Sequence, residues 1–156
     1  MEIRKIRQED FDQILSMMEV FYASDALLIH PDTQTLAKTL TDCIADGPYL
    51  EGFIMEDEDH LVGYGMVAKS YSTEAGGRCV WIEDIYVEPQ YRGKGYGSRF
   101  LAFVRERYAD QAVRIRLEAE PENHRAMAVY QKAGYEILGY TQLVCELKDA
   151  ISDRKE

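Results

Sequence analysis

The run Tyr91-Arg92-Gly93-Lys94-Gly95-Tyr96-Gly97-Ser98 sets three glycines at alternate positions. Before it lies an apolar stretch that reads as a strand, Val80 to Glu88, and after it an amphipathic stretch that reads as a helix, Ser98 to Tyr108. Glycines leave the main chain bare, so several amide N–H groups can face one anion with no side chain between. The helix adds the unpaired N–H groups of its first turn and the positive end of its dipole. Arg92 and Lys94 add mobile positive charge. Strand, glycine loop and helix in this order suit a phosphate-bearing ligand.

The spacing is Gly-x-Gly-x-Gly, not the Gly-x-Gly-x-x-Gly of dinucleotide folds, and no acidic strand end follows to hold a ribose. The Gly-x-x-x-x-Gly-Lys-Ser/Thr of a P-loop is absent. Taken alone, such a loop is equally compatible with a flexible surface connection.

Patterning around the loop predicts an α/β chain. Ile3 to Ile6 alternates like a short strand rather than opening a signal peptide. Asp10 caps a helix running to about Tyr22, with Phe11, Ile14, Leu15, Met18 and Phe21 at helical spacing. A second helix covers Thr33 to Ala45, with Leu36, Leu40 and Ile44 on one face, and Gly47-Pro48 ends it. Tyr49 to Met55 and Leu61 to Ser70 form a hairpin about the polar turn Glu56 to His60, and Ser72 to Arg78 is the next turn. Further strands are expected at Arg114 to Glu118, Tyr135 to Ile137 and Leu143 to Leu147, with a helix at Asn123 to Ala133 and a charged, frayed tail from Asp149. The order is β-α-α-β-β-β-α-β-α-β-β: seven strands in a mixed sheet with helices on both faces, as one domain over residues 1–156.

Composition narrows the partners. The net charge is −10. That disfavours nucleic acid, whose binding rests on cationic side chains, and favours a cationic partner. No apolar run approaches the roughly 20 residues of a membrane span. Cys43, Cys79 and Cys145 fit neither a zinc pattern nor a disulfide framework, so reduced thiols in a cytoplasmic protein are expected. His30, His60 and His124 show no metal spacing, and no metal is expected.

Three segments together carry a family resemblance. Arg92-x-x-Gly95-x-Gly97 resembles the acetyl-CoA pyrophosphate loop of the GCN5-related N-acetyltransferases (GNATs). Trp81 to Val87 resembles that family's central strand. Asn123-His-Arg-Ala126-Met-Ala-Val-Tyr130-Gln-Lys132-Ala-Gly134-Tyr135 resembles its second motif. Glu83-Asp84 ahead of an apolar triplet and Tyr-Arg-Gly is similar to the diamine and polyamine (spermidine/spermine) branch. The resemblance runs from about Leu61 to Tyr135 and is only topological outside that stretch.

The resemblance implies the GNAT fold: a central, mostly antiparallel mixed sheet of about seven strands that splays into a V after the fourth. It implies acetyl-CoA as co-substrate, with the backbone of Ile85, Tyr86 and Val87 pairing the pantetheine arm and Arg92, Gly93, Lys94, Gly95, Tyr96, Gly97 and Ser98 receiving the pyrophosphate. Asn123 is either a pantetheine contact or the N-cap of its helix. Lys132 is either an adenosine-phosphate contact or a solvated helix lysine. Glu83 is the expected general base, against a structural ion pair. Tyr130 is the expected general acid toward the leaving sulfur, against a packing role. An N–H of Tyr86 or Val87 would meet the oxyanion. Asp84 points away from Glu83 in a regular strand, so both serve one pocket only if the strand is bulged; it would then hold a second ammonium.

The expected activity is N-acetylation of a primary amine on a small molecule (a polyamine, diamine or amino-acid-like compound), with the first two helices and the Tyr71 to Arg78 turn framing the acceptor. The same chemistry on a protein N-terminus, a protein lysine or an aminoglycoside, and a catalytically silent acyl-CoA-binding module, are the alternatives. A homodimer paired through Thr141 to Leu147 is also expected from related proteins.

Overall fold

A computed structural model describes residues 1–24 and 27–147. The expected charged tail from Asp149 lies outside the described residues. Strands β1 (Glu2–Lys5), β2 (Leu50–Asp57), β3 (His60–Ser72), β4 (Gly77–Val87) and β5 (Arg114–Leu117) form one sheet in the order β1-β2-β3-β4-β5. Every neighbouring pair is antiparallel except β4 and β5, which run parallel. Helices α1 (Phe11–Tyr22) and α2 (Thr33–Ile44) cover one face, and α3 (Tyr96–Tyr108) and α4 (His124–Lys132) the other.

Each helix buries one stripe. Ile14, Met17 and Met18 of α1 and Leu36, Leu40 and Cys43 of α2 meet Ile54, Tyr64, Met66 and Tyr86 of the sheet. Asp32 caps α2 by accepting from Thr35 N at 2.8 Å. On the opposite face Phe100, Leu101, Val104 and Tyr108 of α3 pack on Phe53, Val67, Val80 and Ile82. Gly65 lets α3 approach closely, since a Cβ there would lie 2.2 Å from Phe100 Cζ. Beneath α3, Glu51 is buried among Tyr108, Arg107 (3.0 Å), Lys5 (3.1 Å) and Lys69 (3.3 Å). Burial acts to raise its pKa, but the bonds from Tyr108, Lys5 and Arg107 prevail and hold it at about 2.

Three expectations change. The helix after the glycine loop begins at Tyr96, not Ser98, because Gly95 in the left-handed region ends the loop and Gly97 joins the first turn. β3 and β4 extend further, leaving a turn of only four residues, Thr73 to Gly76. Among the described residues the sheet has five strands, not seven: Tyr135 to Ile137 and Leu143 to Leu147 form none. Side chains, not main-chain ladders, tie that segment beside β5, with Tyr140 Oη donating to Glu74 at 3.3 Å and Gln142 Nε2 donating to Glu118. A strand-like sequence makes no strand without a ladder partner.

Candidate active site

The sheet opens at its middle. β4 pairs with β5 from Cys79↔Arg114 to Ile82↔Leu117 and no further. On its other edge β4 stays paired with β3 through Gly65↔Ile85, Tyr64↔Tyr86 and Gly63↔Val87. From Glu83 to Val87 the side facing β5 therefore has no ladder partner among the described residues, the V-shaped splay the family resemblance implied, and only Val87 O is met there, by the Arg92 side chain.

The splay starts at a β-bulge. Met66 pairs with Asp84 and Val67 with Ile82, so Glu83 is an extra residue opposite neither. The bulge resets the alternation. Ile82 and Ile85 both pack toward α3, and two residues rather than one separate them. Asp84 faces α1, accepting from Tyr22 Oη at 2.7 Å and Tyr64 Oη at 3.2 Å, and it is only 3% exposed. Glu83 opens to solvent beside it. The two consecutive acids are electrostatic neighbours, and the Glu83 charge also reaches Tyr22.

Burial pushes the Asp84 carboxyl up to about 6, against the two tyrosine bonds that favour its charged form. Glu83 is raised as well, first by the protein packed around it, then by the charges of Asp84 and Glu118. A carboxylate whose proton affinity is raised in a cleft is poised to take a proton from an ammonium. No local pattern marks Tyr22 or Tyr64, which lie 62 and 20 residues from Asp84 in sequence. The only signal was that a carboxylate inside a central strand needs donors.

Beyond β4 the chain makes a short turn at Pro89–Tyr91, then the glycine loop. Gly93 and Gly95 both have φ of 83°, a conformation costly for any side chain. A Cβ on Gly95 or Gly97 would meet nothing within 4 Å, so the loop is open at both positions. Among the described residues none accepts a hydrogen bond from the amides of Gly93 to Ser98, whereas Arg99 N already bonds Gly95 O at 3.0 Å. This cradle of free N–H groups at a helix start fits a diphosphate. Tyr96 leaves only its amide available at the loop, because its ring is buried and its hydroxyl donates to Asp57 at 2.6 Å, anchoring α3 to the end of β2.

Two positive groups of the loop turn elsewhere. Arg92 folds back, its Nε donating to Val87 O at 2.8 Å with the guanidinium 5.7 Å from the centre of the Tyr86 ring. Lys94 lies over Tyr91 at 5.4 Å. The guanidinium standing against the loop is that of Arg125, in the first turn of α4: its Nη2 lies 3.9 Å from the place of a Cβ on Gly93. The sequence reading missed Arg125, whose one signal was its position two residues after Asn123 in the second motif. Asn123 is the N-cap of α4, its side chain accepting from Ala126 N at 3.2 Å. Lys132 ends α4 in solvent.

Tyr130 lies half-buried on the α3 side of the sheet, in the same cluster as Ile85 and Val87 and edge-on to Tyr135 at 6.3 Å. Burial raises its pKa, so the phenol keeps its proton at neutral pH. Tyr130 thus lies on the α3 face of the sheet, and Glu83 is exposed beside Asp84, which faces α1. Among the described residues no cluster of His, Cys, Asp and Glu is arranged to hold a metal ion, and no helix is long and apolar enough to cross a membrane.

Known proteins share this architecture. A possible acetyltransferase from Clostridium difficile 630 has the same fold, with a TM-score of 0.82 at 24% identity over 94% of this chain and 97% of that one. The thialysine N-epsilon-acetyltransferase of Bos taurus is 44% identical over 75 residues, covering 47% of this chain and 44% of that protein. The spermine/spermidine N(1)-acetyltransferase of Bacillus subtilis (strain 168) is 30% identical over 87 residues, covering 53% of this chain and 57% of that protein. The chain thus spans about half the length of these curated relatives. The model of the acetyltransferase (GNAT) family matches residues 5–135, which include the bulged strand, the glycine cradle and Tyr130, and this chain belongs to that family.

Proposed function

We propose that the protein transfers an acetyl group from acetyl-CoA to a primary amine of a small molecule. The observation that carries this reading is the edge of β4 from Glu83 to Val87, without a ladder partner among the described residues, with a raised carboxylate at its start and a buried phenol on the α3 face, and leading to the glycine cradle. The edge suits the amides of a pantetheine arm, added as a strand would be. The amides of Gly93 to Ser98 with Arg125 suit the diphosphate. Bound there, the thioester supplies the activated acetyl carbonyl.

The residues of the chain do the rest. Glu83 takes a proton from the acceptor ammonium, directly or through water, since an alkylamine with pKa about 10.4 is mostly charged at neutral pH. As the new C–N bond forms and the C–S bond breaks, Tyr130 gives its proton to the sulfur, and the second proton shed by the nitrogen passes to water, from which the phenol is restored. An amide of Tyr86 or Val87 supports the carbonyl oxygen. Asp84 has both oxygens engaged by tyrosines, so its part is to hold the bulge rather than to bind a second ammonium.

Two further features complete the reading. Cys43 and Cys79 are free and buried, Cys145 free and exposed, which suits a reducing cytoplasm. Exposed apolar residues beyond α4 favour a homodimer. Thiol release from acetyl-CoA with a panel of polyamines, diamines, diamino acids and aminoglycosides tests the activity. Saturable release with a small amine is expected. Tight CoA binding with no release from any acceptor would mark a silent acyl-CoA-binding module instead.

A further inference from the structure

The face of the sheet that carries Glu83 and Asp84 continues onto β5. Ile115 and Leu117 pack toward α3, so Arg114, Arg116 and Glu118 lie on the opposite face. Helices α1 and α2 cover Tyr64, Met66 and Tyr86 there, and neither Trp81 nor Arg116 belongs to that cluster.

Arg116 stands out among the cations of this face. Its guanidinium makes no hydrogen bond among the described residues, lies 5.3 Å from the centre of the Trp81 ring, and its side chain is a quarter exposed. Its Nε is fully buried without a hydrogen-bond partner. Its Nη2 forms a loose ion pair with Glu74 at 3.7 Å, beyond hydrogen-bond reach, and Glu74 is already hydrogen-bonded by Arg114 at 3.0 Å and Tyr140 at 3.3 Å. A planar fork of donors with none of them hydrogen-bonded among the described residues, held beside an aromatic ring, matches a carboxylate in shape and charge. Buried donors are rarely left unmet without a reason.

The placement relates this group to the reaction. Trp81 pairs with Arg116 across the parallel ladder, two residues before Glu83. Strand rise and spacing put the Cα of Arg116 roughly 8 Å from that of Glu83. An extended lysine-like side chain covers that span.

Resting on the function proposed above, we infer that Arg116 binds the carboxylate of a diamino-acid acceptor while the distal amine meets Glu83. The acceptor is then a zwitterionic amino acid rather than a purely cationic polyamine. Arg116 is a specificity-determining residue that takes no part in proton transfer.

The test compares thialysine and lysine with the diamines left when their carboxylates are removed, in the intact protein and in Arg116→Gln and Arg116→Lys. The intact protein should favour the amino acids at least tenfold in kcat/KM. Arg116→Gln should raise KM for the amino acids at least tenfold, keep kcat within a few-fold and leave the diamines unchanged, which also shows that the variant is folded. Arg116→Lys should recover part of the preference. Release with all acceptors alike, or an equal loss on amino acids and diamines in Arg116→Gln, would overturn the assignment while leaving the acetyltransferase reading intact. Release with none of these four acceptors would overturn this assignment, while the small-amine reading falls only if the polyamines and aminoglycosides of the wider panel fail as well.

Discussion

Glu83 and Asp84 are adjacent in sequence but do different work, because one opens to solvent and the other is enclosed by tyrosine hydroxyls. Replacing Glu83 by Gln should lower kcat/KM by about 10²–10⁴, the usual range for a lost general base. The acidic limb of the pH profile, displaced above the ordinary glutamate value because burial and the neighbouring acids raise Glu83, should vanish in that variant. A profile with the same limb in Glu83→Gln would remove this residue from proton transfer. Asp84 leaves its mark on stability. Its folded pKa of about 6 exceeds the unfolded value, so the neutral side chain is favoured by folding below about pH 4, and this contribution is lost as pH rises through 6. Asp84→Asn is neutral at every pH. Its unfolding free energy, from urea titrations, should gain on that of the parent by about 3 kcal/mol between about pH 4 and pH 7, the equivalent of the shift. Altered hydrogen bonds add only a constant offset. A difference that does not change with pH would show that Asp84 is not held at a raised pKa.

At the scale of elements, the glycine cradle depends on backbone shape more than on charge. Gly95 has a left-handed φ of 83° and open space where a Cβ would go. Gly95→Ala therefore meets no clash, yet the residue resists that conformation by roughly 1–2 kcal/mol. Affinity for CoA should fall about tenfold, measured by calorimetry, while affinity for a truncated pantetheine thioester without the diphosphate should be unchanged. Equal losses on both ligands would place the diphosphate elsewhere. This element was legible in the sequence because its determinant is local: glycines at fixed spacing between a strand and a helix. The helices α1 and α2 were legible for the same reason, their apolar residues recurring at helical spacing. The bulge at Glu83 was not, because it is a register relation between β4 and β3, and no residue of β4 reports where its partner stands. Arg92 shows the limit of motif reading, since its charge is as expected but Val87 O and the Tyr86 ring draw it away from the cradle.

At the scale of the whole molecule, the segment after α4 is the part where local pattern misled. Leu143-Val-Cys-Glu-Leu147 has strand-like residues, but a strand exists only with a partner. Ile137 is 76% exposed, Leu143 94%, Val144 75% and Leu147 92%, while the outer edge of β5 lacks a ladder partner among the described residues. A second copy of the chain could cover both, as exposed apolar patches of this kind commonly require. Sedimentation should give a dimer for the intact protein and a monomer for Leu143→Asp combined with Leu147→Asp; a monomer in both cases would refute pairing through this segment. The bulge has a consequence for descent as well. Its geometry rests on a count of residues, not on their kind. A gene that lost the single codon of Glu83 would restore the plain alternation of β4, with Ile82, Asp84 and Ile85 still on their present faces, and leave an intact fold without its proton acceptor.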